Sequence, residues 1–274
     1  MHDDGNYYYF NIRVLGRRGL MQQKAKVVVC MPTFNEAVGI HSFMDDIFFH
    51  MKEFDLRIVI VDDKSTDGTA KLAKAHDRAL EIECVENPEN VGHGASTLRA
   101  LGLALDSTPA PDVIVATDGD GHVLGEDLAK LAKKILAEDF NVAEGIRFRE
   151  NDPWFRRIVT LFTRFLVFLA SGSAPRDANT PFRAYKSAEL RRLVGLVDSK
   201  SPVPNLVISA LTRVTKTKYS EVHFSDFTRQ SSAPTGSTWR QKLSWLPSMR
   251  FVKFCIRAMT SWMKDQKTIR KILL

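Results

Sequence analysis

Asp118 and Asp120 stand one residue apart, with His122 two further on, directly after the apolar run Val113-Ile-Val-Ala116. A buried strand that ends in Asp-x-Asp presents hard oxygen ligands at the rim of a sheet. That is where α/β proteins hold a divalent cation and the phosphates it neutralises. An acidic turn would use the same residues, because Asp and Gly are ordinary turn formers. The rest of the chain weighs on the choice. Asp62-Asp63 closes a second apolar run (56–61), and Pro32-Thr-Phe-Asn-Glu36 follows a third (26–31). Open α/β sheets bind ligands outside the carboxyl ends of their strands, so these three loops are expected to share one crevice.

The elements that must position these residues alternate. Apolar runs at 26–31, 56–61, 80–85, 113–117 and 141–148 read as strands. Helical patterns lie between them: residues 38–54, with Ile40, Phe43, Met44, Ile47, Phe48 and Met51 at helical spacing, a helix led in by Asp67 as N-cap, one from Gly94 to about 104, and 126–138. This pattern predicts an α/β fold with a mostly parallel sheet and helices on both faces. No GxGxxG follows the first strand, which argues against a dinucleotide site. Beyond residue 150 the character changes. A basic and apolar helix (152–170) meets a breaker (171–175), a loop leads from Asp177 into a strand, short helices (187–194, 206–214) and a strand (219–224) follow, and a polar loop (229–238) precedes a basic helical tail (239–273).

With 44% hydrophobic and 26% charged residues, the composition is that of a globular protein with a real core. Cys30, Cys84 and Cys255 are far apart and odd in number, which suits reduced thiols in the cytoplasm. A net charge of +7 suits a phosphate-bearing ligand, an anionic membrane surface or nucleic acid. No helix-turn-helix or zinc-finger pattern supports reading of a DNA sequence. Residues 1–20 carry no periodicity and no apolar signal segment, and are expected to form a disordered tail or an over-extended start. No apolar run reaches the ~18 residues that a bilayer span needs.

Four motifs in order now carry a resemblance: Pro32-Thr-Phe-Asn-Glu36; Val61-Asp62-Asp63-x-Ser65-x-Asp67-Gly68-Thr69; Asn90-Val-Gly92-x-Gly94; and Asp118-x-Asp120. Together they resemble a family 2 glycosyltransferase of GT-A fold. Asp177-x-Asn179-x-x-Phe182-Arg183 and the loop around Arg229 are similar to the branch of dolichol-phosphate and polyprenyl-phosphate mannose synthases. The resemblance implies a Rossmann-like GT-A domain over residues 21–240, with a nucleotide-sugar half at about 26–125 and an acceptor half at about 126–240. Residues 241–274 form a basic helical extension.

The resemblance assigns roles to residues. Pro32, Phe34, Glu36, Asp62 and Asp63 would surround the nucleobase and ribose, with Asp62 the weaker of the acidic pair. Gly92 and Gly94 would let backbone approach the donor, and His93 between them is a lesser donor contact. Asp118, Gly119 and Asp120 would form the diphosphate and metal site, with Mn²⁺ or Mg²⁺ as the cofactor. His122 replaces a glutamine that often stands there in the mannose synthases, and is either a third metal ligand or simply the next loop residue. Asp177 would act as the acceptor-side carboxylate. It is a general base for a hydroxyl acceptor, or a positioning group where the acceptor is already an anionic phosphate. Asn179 would orient groups beside it. Among Arg147, Arg156, Arg157, Arg183 and Arg229, the resemblance favours Arg147 and Arg229 for phosphate binding, a task that suits the guanidinium fork.

One departure is plain: the mannose synthases follow their late arginine with Gly-x-Ser-Lys, and this chain has a longer loop without that lysine. The function expected is metal-dependent, inverting transfer from a nucleotide-diphosphate sugar to a polyprenyl or dolichyl phosphate. Protein, polysaccharide or modified DNA base acceptors are the alternatives within enzymes, and a non-catalytic binding module is the alternative outside them. The helix at 152–170 and the tail mix aromatic and basic residues, which suits peripheral contact with the cytoplasmic face of a membrane, core packing or a homo-oligomer interface.

Overall fold

The computed structural model describes residues 23–146, 154–224 and 249–273. Seven strands form one sheet: β1 (Lys26–Thr33), β2 (Asp55–Asp62), β3 (Ile82–Glu86), β4 (Val113–Ala116), β5 (Val142–Ile146), β6 (Arg183–Lys186) and β7 (Tyr219–His223), in the order β3-β2-β1-β4-β6-β5-β7. Pairing is parallel from β3 through β4 and between β5 and β7, while β6 runs antiparallel to both of its neighbours. The sheet is thus mostly parallel, as the alternation predicts.

Period-two alternation within the strands explains the two-sided core. Val28 and Cys30 of β1 face one layer, with Val59, Val61, Ile114 and Ala116. That layer holds α3 (His93–Asp106), α5 (Trp154–Ser171), α6 (Ser187–Val194), α7 (Pro204–Val214) and α8 (Met249–Leu273). Val27, Val29 and Met31 face the other, with Ile58, Ile60, Val113 and Val115, against α1 (Ile40–His50), α2 (Thr69–Lys74) and α4 (Gly125–Glu138). These strand side chains are buried almost completely, each worth about 1.5–3 kcal/mol of transfer free energy.

The boundaries differ from the sequence reading in instructive places. The first helix starts at Ile40 rather than 38, because Gly39 and Ile40 are turned by bonds to the Glu36 carbonyl and Val38 lies 76% exposed. The third strand begins at Ile82, since residues 79–81 form a 3-10 turn in which Leu80 is 95% exposed. Gly68 rather than Asp67 occupies the cap of α2. Asp67 acts one position out: its carboxylate accepts the Thr69 N–H at 3.1 Å, the Thr69 hydroxyl at 2.5 Å and the Ala37 N–H at 3.0 Å. The N-terminal segment 1–20 and the whole of 229–248 lie outside the described residues. Among the described residues no helix is long and apolar enough to cross a membrane.

Candidate active site

The carboxyl ends of β1, β2 and β4 meet at one rim. The Asp63 N–H donates to the Thr33 carbonyl at 2.8 Å, and the Gly119 N–H to the Pro32 carbonyl at 3.2 Å. Gly119 is there because nothing larger fits. A Cβ on it would lie 2.4 Å from Thr33 Cγ2 and 2.9 Å from the Pro32 oxygen. The Asp118-Gly119-Asp120 turn is therefore pressed onto the end of β1.

On either side of that glycine the carboxylates of Asp118 and Asp120 reach the crevice, with side chains 27% and 30% exposed. Each has an imidazole beside it. His93 Nε2 stands 3.4 Å from Asp118 Oδ1, and His122 Nε2 stands 3.6 Å from Asp120 Oδ2. Among the described residues no group of three or more His, Cys, Asp or Glu side chains is arranged to hold a metal ion. His122 stands beside Asp120 and not between the two aspartates. Two carboxylates fit a Mg²⁺ or Mn²⁺ whose remaining positions come from phosphate oxygens and water.

The donor-side residues divide into those that face the crevice and those that build it. Phe34 and Gly92 are partly exposed at the rim. Asp62 is 1% exposed and accepts from the Thr33 hydroxyl (3.2 Å), the Ser65 N–H (2.8 Å) and the Ser65 hydroxyl (2.5 Å). Asp63 is 4% exposed and accepts from Asn87 Nδ2 and from the backbone N–H groups of Val91 and Gly92, each at 2.9 Å. Pro32 and Glu36 are also buried. A direct nucleotide contact was expected of these four; Asp62 and Asp63 each accept three hydrogen bonds from the loops around them, so they also hold those loops in place. Gly94 is a packing residue too, with a hypothetical Cβ 2.4 Å from the Ser201 carbonyl oxygen.

The acceptor side arrives through β6. Because β6 runs antiparallel to β4, with Arg183 opposite Ala116, the chain entering β6 must come in at the Asp118 rim. That incoming loop carries Asp177, 5% exposed, and Asn179, partly buried. Arg183 corrects the sequence reading. It is 0% exposed, with Nη2 3.5 Å from Glu144 Oε1 and donating to the Ala178 carbonyl at 3.2 Å, so it supports the loop and does not meet an acceptor phosphate. Arg157 is exposed on α5. Arg147 and Arg229, and the side chain of Arg156, lie outside the described residues.

Sequence reading missed Glu144, Arg213 and Glu221, a buried ionic group beneath the loop. The signal was present: Glu144 interrupts an otherwise apolar strand, and Arg213 sits in an apolar helix.

The glycosyl transferase family 2 model matches residues 28–194, more than half of the chain. The chain belongs to this family. The family is one of glycosyltransferases. A polyprenol monophosphomannose synthase from Mycolicibacterium smegmatis is 28% identical over 189 residues, covering 64% of this chain and 67% of that one. An undecaprenyl-phosphate 4-deoxy-4-formamido-L-arabinose transferase from Sodalis glossinidius is 26% identical over 163 residues, covering 59% and 49%. The match thus spans about half to two thirds of the length of these relatives. Among solved structures, mannosyl-3-phosphoglycerate synthase from Rubrobacter xylanophilus superposes with a TM-score of 0.63 at 15% identity, covering 91% of this chain and 76% of that one. Glucosyl-3-phosphoglycerate synthase from Mycobacterium tuberculosis, in complex with Mn²⁺, UDP-glucose and phosphoglyceric acid, gives 0.60 at 15% identity, covering 89% and 80%. At that identity the likeness is one of fold, and it is the GT-A arrangement expected from the motifs.

Proposed function

We propose that this chain moves a glycosyl group, with inversion, from a nucleotide-diphosphate sugar to a polyprenyl phosphate at a membrane surface. The observation that carries the donor half is the pair of exposed carboxylates, Asp118 and Asp120, at the same rim as the Asp177 loop. Asp118 and Asp120 would hold a divalent cation, which would supply charge neutralisation to the departing nucleoside diphosphate. Phe34 and Gly92 line the nucleotide end, and the loops behind them are kept rigid by Asp62 and Asp63. With a phosphate acceptor no proton has to be removed, since the attacking oxygen is already an anion. Asp177 and Asn179 then orient the sugar and acceptor for in-line attack at the anomeric carbon. Arg147, Arg156, Arg157 and Arg229 remain the proposed phosphate contacts.

Support for the lipid comes from α5. Ile158, Leu161, Phe162, Phe165, Phe168 and Leu169 are all 43–64% exposed and recur at helical spacing, so the helix turns an apolar stripe to solvent. A stripe of this size is more than scattered surface residues would give. Arg164 of the same helix donates through Nε to the Pro175 carbonyl at 2.8 Å, which ties the stripe to the Asp177 loop. The net charge of +7 suits anionic headgroups. The names of the relatives, which act on polyprenol or undecaprenyl phosphate, point to the same acceptor. Three free cysteines agree with a cytoplasmic setting.

The test is transfer of radiolabelled sugar from UDP-glucose and GDP-mannose, among a panel of donors, into undecaprenyl phosphate in anionic vesicles. An organic-extractable product that requires Mn²⁺ or Mg²⁺ and disappears in Asp118→Ala/Asp120→Ala is expected. Absence of lipid product, with transfer to a soluble acceptor instead, would sink the lipid assignment. Leu161→Asp/Phe165→Asp should abolish vesicle binding while leaving the melting temperature unchanged, because both side chains are already exposed.

A further inference from the structure

Under the acceptor loop runs a chain of charges. The Arg176 N–H donates to Glu221 Oε1 at 2.9 Å, and the same oxygen lies 3.5 Å from Arg213 Nη2. Arg213 Nη2 in turn meets Glu144 Oε2 at 2.7 Å. Glu144 Oε1 is 3.5 Å from Arg183 Nη2, which donates to the Ala178 carbonyl at 3.2 Å. The chain begins on the residue before Asp177 and ends on the residue after it.

We infer that Glu221, Arg213, Glu144 and Arg183 form a clamp that fixes the backbone of Asp177 from both sides and so positions its carboxylate for transfer. They are positioning residues, acting through Asp177. The inference rests on the proposed role of Asp177.

Three physical points favour a clamp over plain core packing. The side chains of Arg183, Arg213 and Glu144 are no more than 2% exposed, and taking such charges out of water costs more than filling the space with apolar side chains. Arg183 Nε and Nη1 and Arg213 Nε lack a hydrogen-bond partner, so the group is not optimised for stability alone. The cost is also incurred at the one loop that brings Asp177 to the metal-site rim. Arg213 is itself locked, with Nη1 donating to the Ser209 carbonyl at 3.0 Å and to its hydroxyl at 2.9 Å, so the clamp is anchored in α7. A side chain held this way keeps its geometry to a fraction of an ångström, and losing that precision is what costs rate.

Glu221 is the member to test, because it is partly exposed and its loss leaves the fully buried Glu144–Arg213 pair intact. Glu221→Ala removes the acceptor for the Arg176 N–H, whereas Glu221→Gln keeps an oxygen there. Expected for Glu221→Ala are a fall in kcat of about ten-fold or more, a donor KM within about two-fold, and faster amide exchange over residues 175–179. Glu221→Gln should recover most of the rate. Wild-type kcat in Glu221→Ala, or equal losses in both variants with donor affinity falling in parallel, would overturn the clamp. Hydrogen exchange needs no substrate, so it separates this inference from the proposed function. If the wild-type chain transfers no sugar, unchanged exchange at 175–179 in Glu221→Ala still refutes the clamp and accelerated exchange still supports it.

Discussion

His93, the first residue of α3, places Nε2 3.4 Å from Asp118 Oδ1 at the end of β4. An imidazole half exposed in this position adds little to stability, since ion pairs in solvent are worth about 0–1 kcal/mol. Its place beside a proposed metal ligand suits the proposed contact with the donor phosphates. His93→Ala should therefore leave the melting temperature within about 2 °C of wild type and weaken donor binding by about three- to ten-fold. Titration of a nucleoside diphosphate with Mn²⁺, followed calorimetrically, checks this; unchanged affinity would remove His93 from the site.

Asp63 offers the opposite expectation. Its carboxylate satisfies the Asn87 amide and the backbone N–H groups of Val91 and Gly92 at a buried position. Asp63→Ala strands these donors, and the loss of stability should reach about 3 kcal/mol or more. Urea denaturation would read it directly. Were Asp63 primarily a nucleotide ligand, binding would fall and stability would not.

Gly119→Ala tests how tightly the aspartate turn is pressed against β1. The added methyl would meet Thr33 Cγ2 at 2.4 Å and the Pro32 oxygen at 2.9 Å, and overpacking of that kind costs about 1–3 kcal/mol. The turn must lift, carrying Asp118 and Asp120 with it. Transfer is expected to fall about a hundred-fold at a temperature where the variant remains fully folded by circular dichroism.

Asp265 on α8 links stability to pH. Burial, and then the nearby Asp198 charge, push its carboxyl up to about 6, against the opposing effect of Lys264. Between its ordinary value of 3.8 and about 6, the folded chain keeps a proton that the unfolded chain has released. Stability contributed by this group is thus lost as pH rises through that window, and the full penalty applies above it. Asp265→Asn should stabilise the protein at pH 7.5 by about 1–2 kcal/mol, allowing for solvent screening, and have little effect below pH 4. Melting curves at the two pH values give the answer, and equal shifts at both would refute it.

The centre of the sheet was legible because β1, β2 and β4 are apolar runs buried on both faces, and such runs need no partner to be recognised. The aspartate rim was legible because Asp118 and Asp120 interrupt such a run. What sequence reading could not supply was direction. Arg183 looks like a phosphate ligand in its motif, yet β6 turns it inward to Glu144, because its register opposite Ala116 and Glu144 puts it in the middle of the sheet. Asp62 and Asp63 likewise look alike as ligands. Only the donors around them, from Ser65, Asn87, Val91 and Gly92, reveal that both also hold loops together. Long-range pairing of this kind leaves no periodic trace in the chain.

The insertion of β6 between β4 and β5 also orders events in time. Strands β1 to β4 and their helices can pair as the chain lengthens, because the neighbours each has among them are already made when β4 is complete. β5 cannot dock on β4, because its place beside that strand is taken by one synthesised later. The sheet must wait for β6 before its second half can close, and non-local closure of this sort is the slow part of folding. The rim that holds Asp118 and Asp120 can therefore be built before the wall that carries Asp177.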